Sequence, residues 1–367
     1  MSATAFDDRR REILRTLIQL HIETGDPVGS ENLARALGRT LSPATVRSIM
    51  ADLEERGYLD HPHTSAGRVP TDDGYRVFVD SLMDREPLPP VDAAAIASAF
   101  SSPDASAERV MENASHVLSS LSRAVGFVLA PDVAQTSLRH IDLVPLAAPR
   151  VLVVLVSAAG LLTQKVIEIE EELTREDLQA CANYLNAHFS GMTLSAIREK
   201  LLALMQEEEA LYHTLLKRVV ALGEQAFSLS EPKSNISLDG ASNMLSQPEF
   251  EDLERMRALF RTFEEKGRLV AILNACIGAE GVRILIGNEN PDPELRDLSF
   301  VTTRCRVEGD EGWGLGVLGS TRMEYGRVVA VVEEVGRTLG HTLRGVRSGP
   351  ALGRCASARR HRPTILG

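Results

Sequence analysis

The sequence has few cysteines, few aromatic residues and no long apolar run. Its four cysteines, among 367 residues, are far apart and form no Cys-x-x-Cys pair, so we expect reduced structural thiols rather than a disulfide framework. The most apolar run, 151–162, is 12 residues long, which is too short to span a bilayer. No secretory signal pattern opens the chain. These absences predict a cytoplasmic protein with no membrane segment.

The sequence also lacks the common motifs of enzymes. It contains no Walker loop, no Gly-x-Ser-x-Gly elbow and no His-Glu-x-x-His helix. One Gly-x-Gly-x-x-Gly match, 314–319, is followed by only 48 residues, too few for the remaining strands of a dinucleotide-binding fold. His61 and His63 have His-x-His spacing, but no third ligand lies nearby in the sequence. We therefore predict a protein that is not an enzyme and has no cofactor and no metal.

Lysine is absent from the first 86 residues, which contain 11 arginines and 15 acidic residues. The whole chain carries a formal net charge of −11, which argues against a protein that coats nucleic acid through bulk charge. A DNA-binding segment with this balance must work through the placement of a few arginines. We expect Arg35, Arg39, Arg47, Arg68 and Arg76 to share one face, and DNA affinity to fall appreciably with salt.

Residues 26–75 have the pattern of a DNA-reading head. Ser42-Pro43 predicts a helix start, because the serine hydroxyl can accept from a free backbone N–H and proline suits the first helical position. Apolar residues then recur at helical spacing until Gly57, which ends the helix. Upstream, Ser30 is expected to cap a short helix, and residues 38–41 make the turn. Two helices joined by a glycine-containing turn are typical of a helix-turn-helix.

The residues after this helix predict a wing. Residues 58–61 and 68–70 have strand character, and the loop 63–67 lies between them. A helix-turn-helix with such a hairpin is a winged helix. We expect Arg47 to read bases and Arg68 to anchor phosphate. The candidate DNA contacts lie on the turn, the second helix and the wing: Arg39, Ser42, Thr45, Arg47, Ser48, His63, Thr64, Ser65 and Arg68.

A specific resemblance is carried by residues 41–82, LSPATVRSIMADLEERGYLDHPHTSAGRVPTDDGYRVFVDSL. This run is similar to the head of the HrcA family, the bacterial heat-inducible transcription repressors. Later motifs agree: LSQPEF at 245–250, VRILIGNE from Val282 and GVLGSTRMEYGRVV at 316–329. The similarity extends from about residue 9 to about residue 343. Its most specific part is the wing run TSAGRVPT followed by GYR.

The resemblance implies an α+β multidomain fold. An N-terminal winged helix-turn-helix would precede a GAF-like α+β domain with an inserted, mostly helical dimerising domain. The implied function is a homodimeric repressor that binds an inverted-repeat operator of chaperonin and DnaK-type chaperone operons and is kept active by the chaperonin. Two alternatives stay open: a winged-helix regulator gated by a small molecule in the GAF-like domain, and an assembly protein whose winged helix binds protein.

The rest of the chain alternates between predicted helices and strands. A long helix from residue 107 precedes four strand candidates, at 126–130, 138–146, 151–156 and 161–169, which predict one antiparallel sheet. Later strands are expected to complete that sheet. Residues 91–107 are compatible with either a short helix or a linker. The predicted domains are 1–86 (DNA-binding), 87–106 (linker), 107–171 and 246–343 (GAF-like), 172–245 (inserted and dimerising) and 344–367 (basic tail, expected to be disordered).

Overall fold

The computed structural model describes residues 7–62, 67–84, 87–102, 106–131, 136–146, 149–158, 162–169, 173–206, 214–227, 236–245, 261, 265–278, 281–305 and 312–347. The helices in these ranges are α1 (Asp8–Thr24), α2 (Ser30–Ala36), α3 (Pro43–Glu55), α4 (Asp72–Val77), α5 (Pro90–Ala99), α6 (Ala107–Ser122), α7 (Arg175–Phe189), α8 (Leu194–Gln206), α9 (Thr214–Phe227), α10 (Ala241–Leu245), α11 (Lys266–Cys276) and α12 (Tyr325–Arg347). The strands are β1 (Leu59–Asp60), β2 (Val69–Pro70), β3 (Val125–Leu129), β4 (Leu138–Pro145), β5 (Arg150–Ser157), β6 (Leu162–Glu168), β7 (Ile236–Asp239), β8 (Arg283–Ile286), β9 (Leu298–Cys305) and β10 (Trp313–Ser320). The fold is thus α+β with several sheets.

The N-terminal unit, residues 7–84, is called the head. Helices α1, α2 and α3 share a buried apolar core, and β1 pairs with β2 in an antiparallel ribbon. Helix α4 follows and continues as a π-helical turn to Leu82. The predicted helices and strands of this segment are present. One detail was wrong: Gly29 occupies the cap position of α2, because the backbone of Ser30 is already helical.

The body comprises α5, α6, α10 to α12, β3 and β7 to β10. Its five-stranded sheet has the order β7-β3-β10-β9-β8, with every neighbouring pair antiparallel. Helices α6 and α12 pack in one buried cluster and α11 in another, so that the sheet is covered on both faces. The later strands therefore complete the sheet begun at β3, as predicted. The glycines of 314–319 lie in β10, a central and fully buried strand.

A separate packed unit, called the insert, contains β4 to β6 and α7 to α9. The three strands form their own antiparallel sheet, and their inward residues pack against the three helices in a single cluster. The prediction that these strands continue the sheet of β3 was therefore wrong. β3 is buried on both faces between β7 and β10, which leaves it no free edge for β4. A boundary between residues 171 and 172 would divide one packed unit.

Two predicted connecting segments contain helix. Within the predicted linker 87–106, α5 packs through the fully buried Ile96, and Asp92 accepts a hydrogen bond from Arg327 of α12 at 3.0 Å. The last helix runs to Arg347, so the first four residues of the predicted tail 344–367 are helical. The remainder of that tail lies outside the described residues, as does most of the helix predicted from residue 249 onward.

Three cysteines lie inside the described core. Cys181, Cys276 and Cys305 are buried, and burial raises the pKa of Cys276 to about 11. Cys355 lies outside the described residues. None of the described helices has both the length and the apolar character that crossing a membrane requires.

Candidate nucleic-acid interface

The start of helix α3 is set by the residues at its N-terminal end. The Ser42 hydroxyl accepts a hydrogen bond from the backbone N–H of Thr45 at 3.2 Å, and Pro43 occupies the first turn. Both signals are local, because capping needs only one side chain and proline loses no needed donor there. The preceding turn places Gly38 and Arg39 at φ +68° and +58°. This left-handed pair reverses the chain between α2 and α3.

The other end of α3 is closed by a Schellman motif. The N–H of Gly57 donates to the Glu54 carbonyl at 2.9 Å, and the N–H of Tyr58 donates to the Leu53 carbonyl at 3.0 Å. Gly57 has φ +82°, a conformation that favours glycine because a Cβ atom is strained there. The sequence therefore fixes both the length of α3 and the point where β1 begins.

Two different faces run along α3. Val46, Met50 and Leu53 are buried in the head core. The opposite side, called the reading face, is exposed and consists of Ala44, Thr45, Arg47, Ser48 and Ala51. Arg47 is its only charged member, and within the described ranges its guanidinium has neither a hydrogen-bond nor an ion-pair partner. Small side chains around one free arginine allow such a face to approach base edges closely.

Asp52 of α3 is paired with two arginines beside the reading face. Asp52 accepts from Arg10 of α1 at 2.6 Å and from Arg56 at 3.1 Å. The hydrogen bond from Arg10 is the main reason that the pKa of Asp52 lies below its usual value, and Arg56 acts in the same direction. The carboxylate is therefore charged and compensated at neutral pH. The side of α3 next to the reading face therefore carries less uncompensated negative charge.

Arg68 joins the ribbon to two other parts of the head. Its backbone exchanges both hydrogen bonds with Val28, at 2.8 and 2.9 Å. Its guanidinium contacts the Glu54 carboxylate of α3 at 2.7 Å and is one-fifth exposed. A guanidinium has five N–H donors, so pairing with Glu54 leaves donors for a phosphate. Phosphate anchoring by Arg68 stays a prediction, and nothing in the sequence indicated the pairing with Glu54.

The expectation that five arginines share one face was wrong for Arg76. This side chain is bound to Glu289 and to the Ile284 carbonyl of the body, because α4 packs on the body rather than beside α3. Arg35, Arg39 and Arg47, by contrast, are exposed. None of these three guanidinium groups has an ion-pair partner in the part of the chain that the structure describes.

The predicted wing contacts can be followed only in part. His63, Thr64 and Ser65 lie outside the described residues, so their contact with DNA stays a prediction. Gly67 lies just after them and has a clear structural role. A Cβ atom at this position would lie 2.3 Å from the backbone carbonyl of Val28, a distance that real Cβ contacts do not reach. The glycine in the wing run thus permits Val28 and Arg68 to pair.

Gly67→Ala is expected to open this pairing, because relieving the overlap must move one backbone segment. Overpacking of this kind costs about 1–3 kcal/mol. The amide of Val28 should consequently exchange about 5 to 150 times faster in hydrogen-exchange measurements, if exchange occurs through local opening. Gly267→Ala is the matched control, since nothing lies within 4 Å of the added methyl group. Unchanged exchange at Val28 in Gly67→Ala would contradict the role given to this glycine.

The arrangement of the head and the body indicates a class of protein. The head contains a short helix, a tight turn and a capped second helix with an exposed polar face, and it lies at one end of a larger α+β body. This architecture is typical of a transcription regulator. The chain belongs to the HrcA family, a family of transcription repressors and not of enzymes. The family model described as the HrcA protein C-terminal domain matches residues 108–329.

Relatives extend this similarity over most of the chain. Proteins named heat-inducible transcription repressor HrcA from Geobacter sulfurreducens, Xylella fastidiosa strain M12 and Xanthomonas campestris are 41%, 39% and 40% identical to it. The matches cover 93%, 92% and 91% of this chain, and 99%, 96% and 95% of the relatives. A crystal structure described as that of a hypothetical protein shares the fold, with a TM-score of 0.63 at 21% identity, over 93% of this chain and 100% of that one.

Proposed function

We propose that the chain represses heat-shock operons by binding an inverted-repeat operator as a homodimer. In this proposal the head is a winged helix whose α3 enters the major groove, while the wing follows the phosphate backbone. The observation that carries the proposal is the reading face of α3. It is exposed and carries Arg47, which within the described ranges has no partner inside the protein. An arginine free to form two hydrogen bonds to guanine is the commonest specific contact in the major groove.

The proposed base-reading and backbone contacts come from different elements. Ser42, Thr45, Arg47 and Ser48 belong to the start and the reading face of α3. Arg39 precedes them in the turn. His63, Thr64, Ser65 and Arg68 belong to the wing run and are proposed to contact phosphate and sugar. Backbone contacts position the head, whereas contacts to base edges select the sequence.

A homodimer is supported by the outer face of the insert sheet. This face, which looks away from α7 to α9, carries three polar residues, His140, Asp142 and Gln164. Its aliphatic residues are Val144, Leu152, Val154, Val156, Leu162 and Val166. Val144, Leu162 and Val166 are 36%, 49% and 50% exposed. Contiguous exposed aliphatic side chains are unfavourable in water and mark interaction surfaces. A second copy is the proposed occupant, because a twofold interface uses the same patch twice and brings two heads to an inverted repeat.

The remaining parts of the proposal come from family resemblance. The body would be a GAF-like domain, and its five-stranded antiparallel sheet between helices is compatible with that assignment. The operator would precede chaperonin and DnaK-type chaperone operons. Chaperonin would keep the repressor active, so that heat releases the genes by diverting chaperonin to unfolded clients. The protein would act in the cytoplasm, where the operator is.

The first test is fluorescence anisotropy on a labelled inverted repeat from a chaperone operon and on a scrambled duplex. Both duplexes are measured at fixed salt, with and without chaperonin. Specific binding is expected to be about a thousandfold tighter than binding to the scrambled duplex, or more. Affinity should also fall as salt rises, because phosphate contacts release counterions.

Each contrary outcome favours a different alternative. Equal and weak binding to both duplexes, with chaperonin present, would reject the operator assignment. A regulator gated by a small molecule would then be favoured, and a ligand that raises the melting temperature would support it. Affinity for the inverted repeat that does not change with salt would argue against phosphate contacts. No DNA affinity under any condition would favour an assembly protein whose head binds protein.

A further inference from the structure

The head and the body are joined by a group of polar contacts that the DNA-binding proposal does not use. Arg76 of α4 donates from Nε to Glu289 Oε1 at 2.7 Å, and its Nη2 contacts the second oxygen of the same carboxylate. The Arg76 Nη2 group also donates to the Ile284 carbonyl at 2.8 Å. A bidentate pair with a third, backbone contact fixes the orientation of a guanidinium, which a single point contact would not.

A second contact lies one helical turn earlier on α4. Asp72 Oδ2 accepts from both the backbone N–H and the side-chain amide of Asn288, each at 2.9 Å. The Asp72 carboxylate sits against Gly287, which has φ +51°, and an added Cβ atom there would lie 2.1 Å from that carboxylate. The turn after β8 is therefore shaped to receive this side chain of the head.

Aromatic residues of the head and the body also pack against each other. Tyr75 of α4 and Tyr325 at the start of α12 are both buried, and their ring centroids are 6.0 Å apart. The body also contacts α1, where Arg322 donates to the Ile22 carbonyl in the last turn at 2.8 Å. The head core and the body core form one continuous buried cluster. The head thus contacts the body at several points, which define its orientation relative to the body.

The chemistry of the pair keeps it charged at neutral pH. Burial pushes the pKa of Glu289 upward, but the hydrogen bonds from Arg76 and from the Ile286 N–H outweigh it and hold that pKa below its usual value. About one-quarter of the Arg76 side chain and about one-third of the Glu289 side chain are exposed to solvent. The contact is therefore partly shielded from water, where an ion pair is stronger than on an open surface.

We propose that a group of four residues, called the latch, sets the spacing between operator half-sites that the repressor accepts. The latch consists of Asp72, Arg76, Asn288 and Glu289. This inference rests on the proposed function, because it concerns the geometry of two heads in one dimer. Each latch fixes one head relative to its body, and the dimer contact fixes the two bodies. The two reading helices then have one separation and one relative rotation. The two half-sites must match this separation and this rotation. Moving the second half-site by half a helical turn would place its major groove on the opposite side of the duplex.

Body-side variants test the latch without altering any proposed DNA contact. Glu289→Gln removes the charge at nearly constant shape, and Asn288→Ala removes the partner of Asp72; the double variant combines them. Glu294→Gln is the matched control, because this nearby carboxylate pairs with Arg268 of the body at 3.0 Å. Anisotropy is measured on operators whose spacer is changed in steps of about 5 base pairs, half a helical turn, and on a single half-site.

The wild type and the control are expected to prefer one spacer by about 100-fold over the half-turn neighbour, since only that spacer allows both heads to bind. In the double variant, the ratio of affinities for the two spacers should be at least about tenfold smaller, while the affinity for a single half-site should be unchanged. Unchanged spacer preference in the double variant overturns the inference. A wild type that binds the operator yet accepts all spacers equally also overturns it.

A second measurement separates this inference from the proposed function. Small-angle X-ray scattering of the DNA-free protein should give a larger radius of gyration for the double variant than for the wild type and the Glu294→Gln control. If the wild type does not prefer operator DNA at all, the proposed function fails, and scattering still decides whether the latch holds the head. Identical scattering curves for the wild type and the double variant would reject the latch in that case.

Discussion

Val154→Asp is expected to split the proposed dimer and to lower operator affinity by about 100-fold or more, the range lost when two linked binding events become one. Val154 lies at the centre of the outer face of the insert sheet. It belongs to the middle strand, between Asp142 on β4 and Gln164 on β6. The change should be visible as a halved mass in light scattering and as weaker binding in anisotropy.

The size of this effect follows from symmetry and from desolvation. In a twofold interface, one substitution introduces two carboxylates that approach each other across the axis. Each would have to lose water beside aliphatic side chains of β5 and next to Asp142 and Gln164, neither of which supplies a positive charge. Asp142, which already lies in the same cross-strand row, adds further like charge. In the free subunit, by contrast, the new side chain faces solvent, and we expect the fold of the insert to be retained.

Ala180→Asp provides the matched control. Ala180 is exposed on α7, which packs against the opposite face of the same sheet. The Ala180→Asp protein should remain dimeric and bind the operator with the affinity of the wild type. A Val154→Asp protein that stays dimeric would show that another surface pairs the subunits. A monomeric Val154→Asp protein with undiminished operator affinity would show that one head suffices, contrary to the proposed inverted-repeat mechanism.

The parts of the head that could be predicted from the sequence are those controlled by local chemistry. Ser42 and Gly57 define the two ends of α3 through contacts within three to five residues along the chain. The exposed and buried faces of α3 follow from helical spacing alone. The residues of the reading face could therefore be predicted from their spacing. Ser30 was misassigned because a serine near a helix start can occupy the cap or the next position, and spacing does not distinguish the two.

The features that could not be predicted depend on contacts between distant residues. Arg68 and Glu54 are 14 positions apart, and Arg76 and Glu289 are 213 positions apart. Nothing local in an arginine specifies such a partner. Strand pairing has the same limitation: the strand-forming residues of β4 predict a strand, but they do not say which strands are its neighbours. The separation of the insert from the body therefore depends on pairings that no local pattern encodes.

Arg47→Ala and Arg68→Ala are expected to weaken DNA binding in different ways. Arg47→Ala should reduce the preference for operator over scrambled DNA by about 1–3 kcal/mol, or about 5- to 150-fold. The fold should be unaffected, because Arg47 is exposed and has no partner within the described ranges. Arg68→Ala should weaken binding to both duplexes alike and reduce the dependence of affinity on salt.

Glu54→Gln distinguishes the two roles of Arg68. If the guanidinium contacts phosphate, removing the charge of its partner at 2.7 Å should strengthen binding to both duplexes, because less positive charge is neutralised within the protein. If Arg68 acts only by tying the ribbon to α3, Glu54→Gln should weaken binding together with Arg68→Ala. Equal losses from Arg47→Ala and Arg68→Ala on operator and scrambled DNA would reject the division between base reading and phosphate anchoring. The reading face would then contribute affinity without selecting sequence.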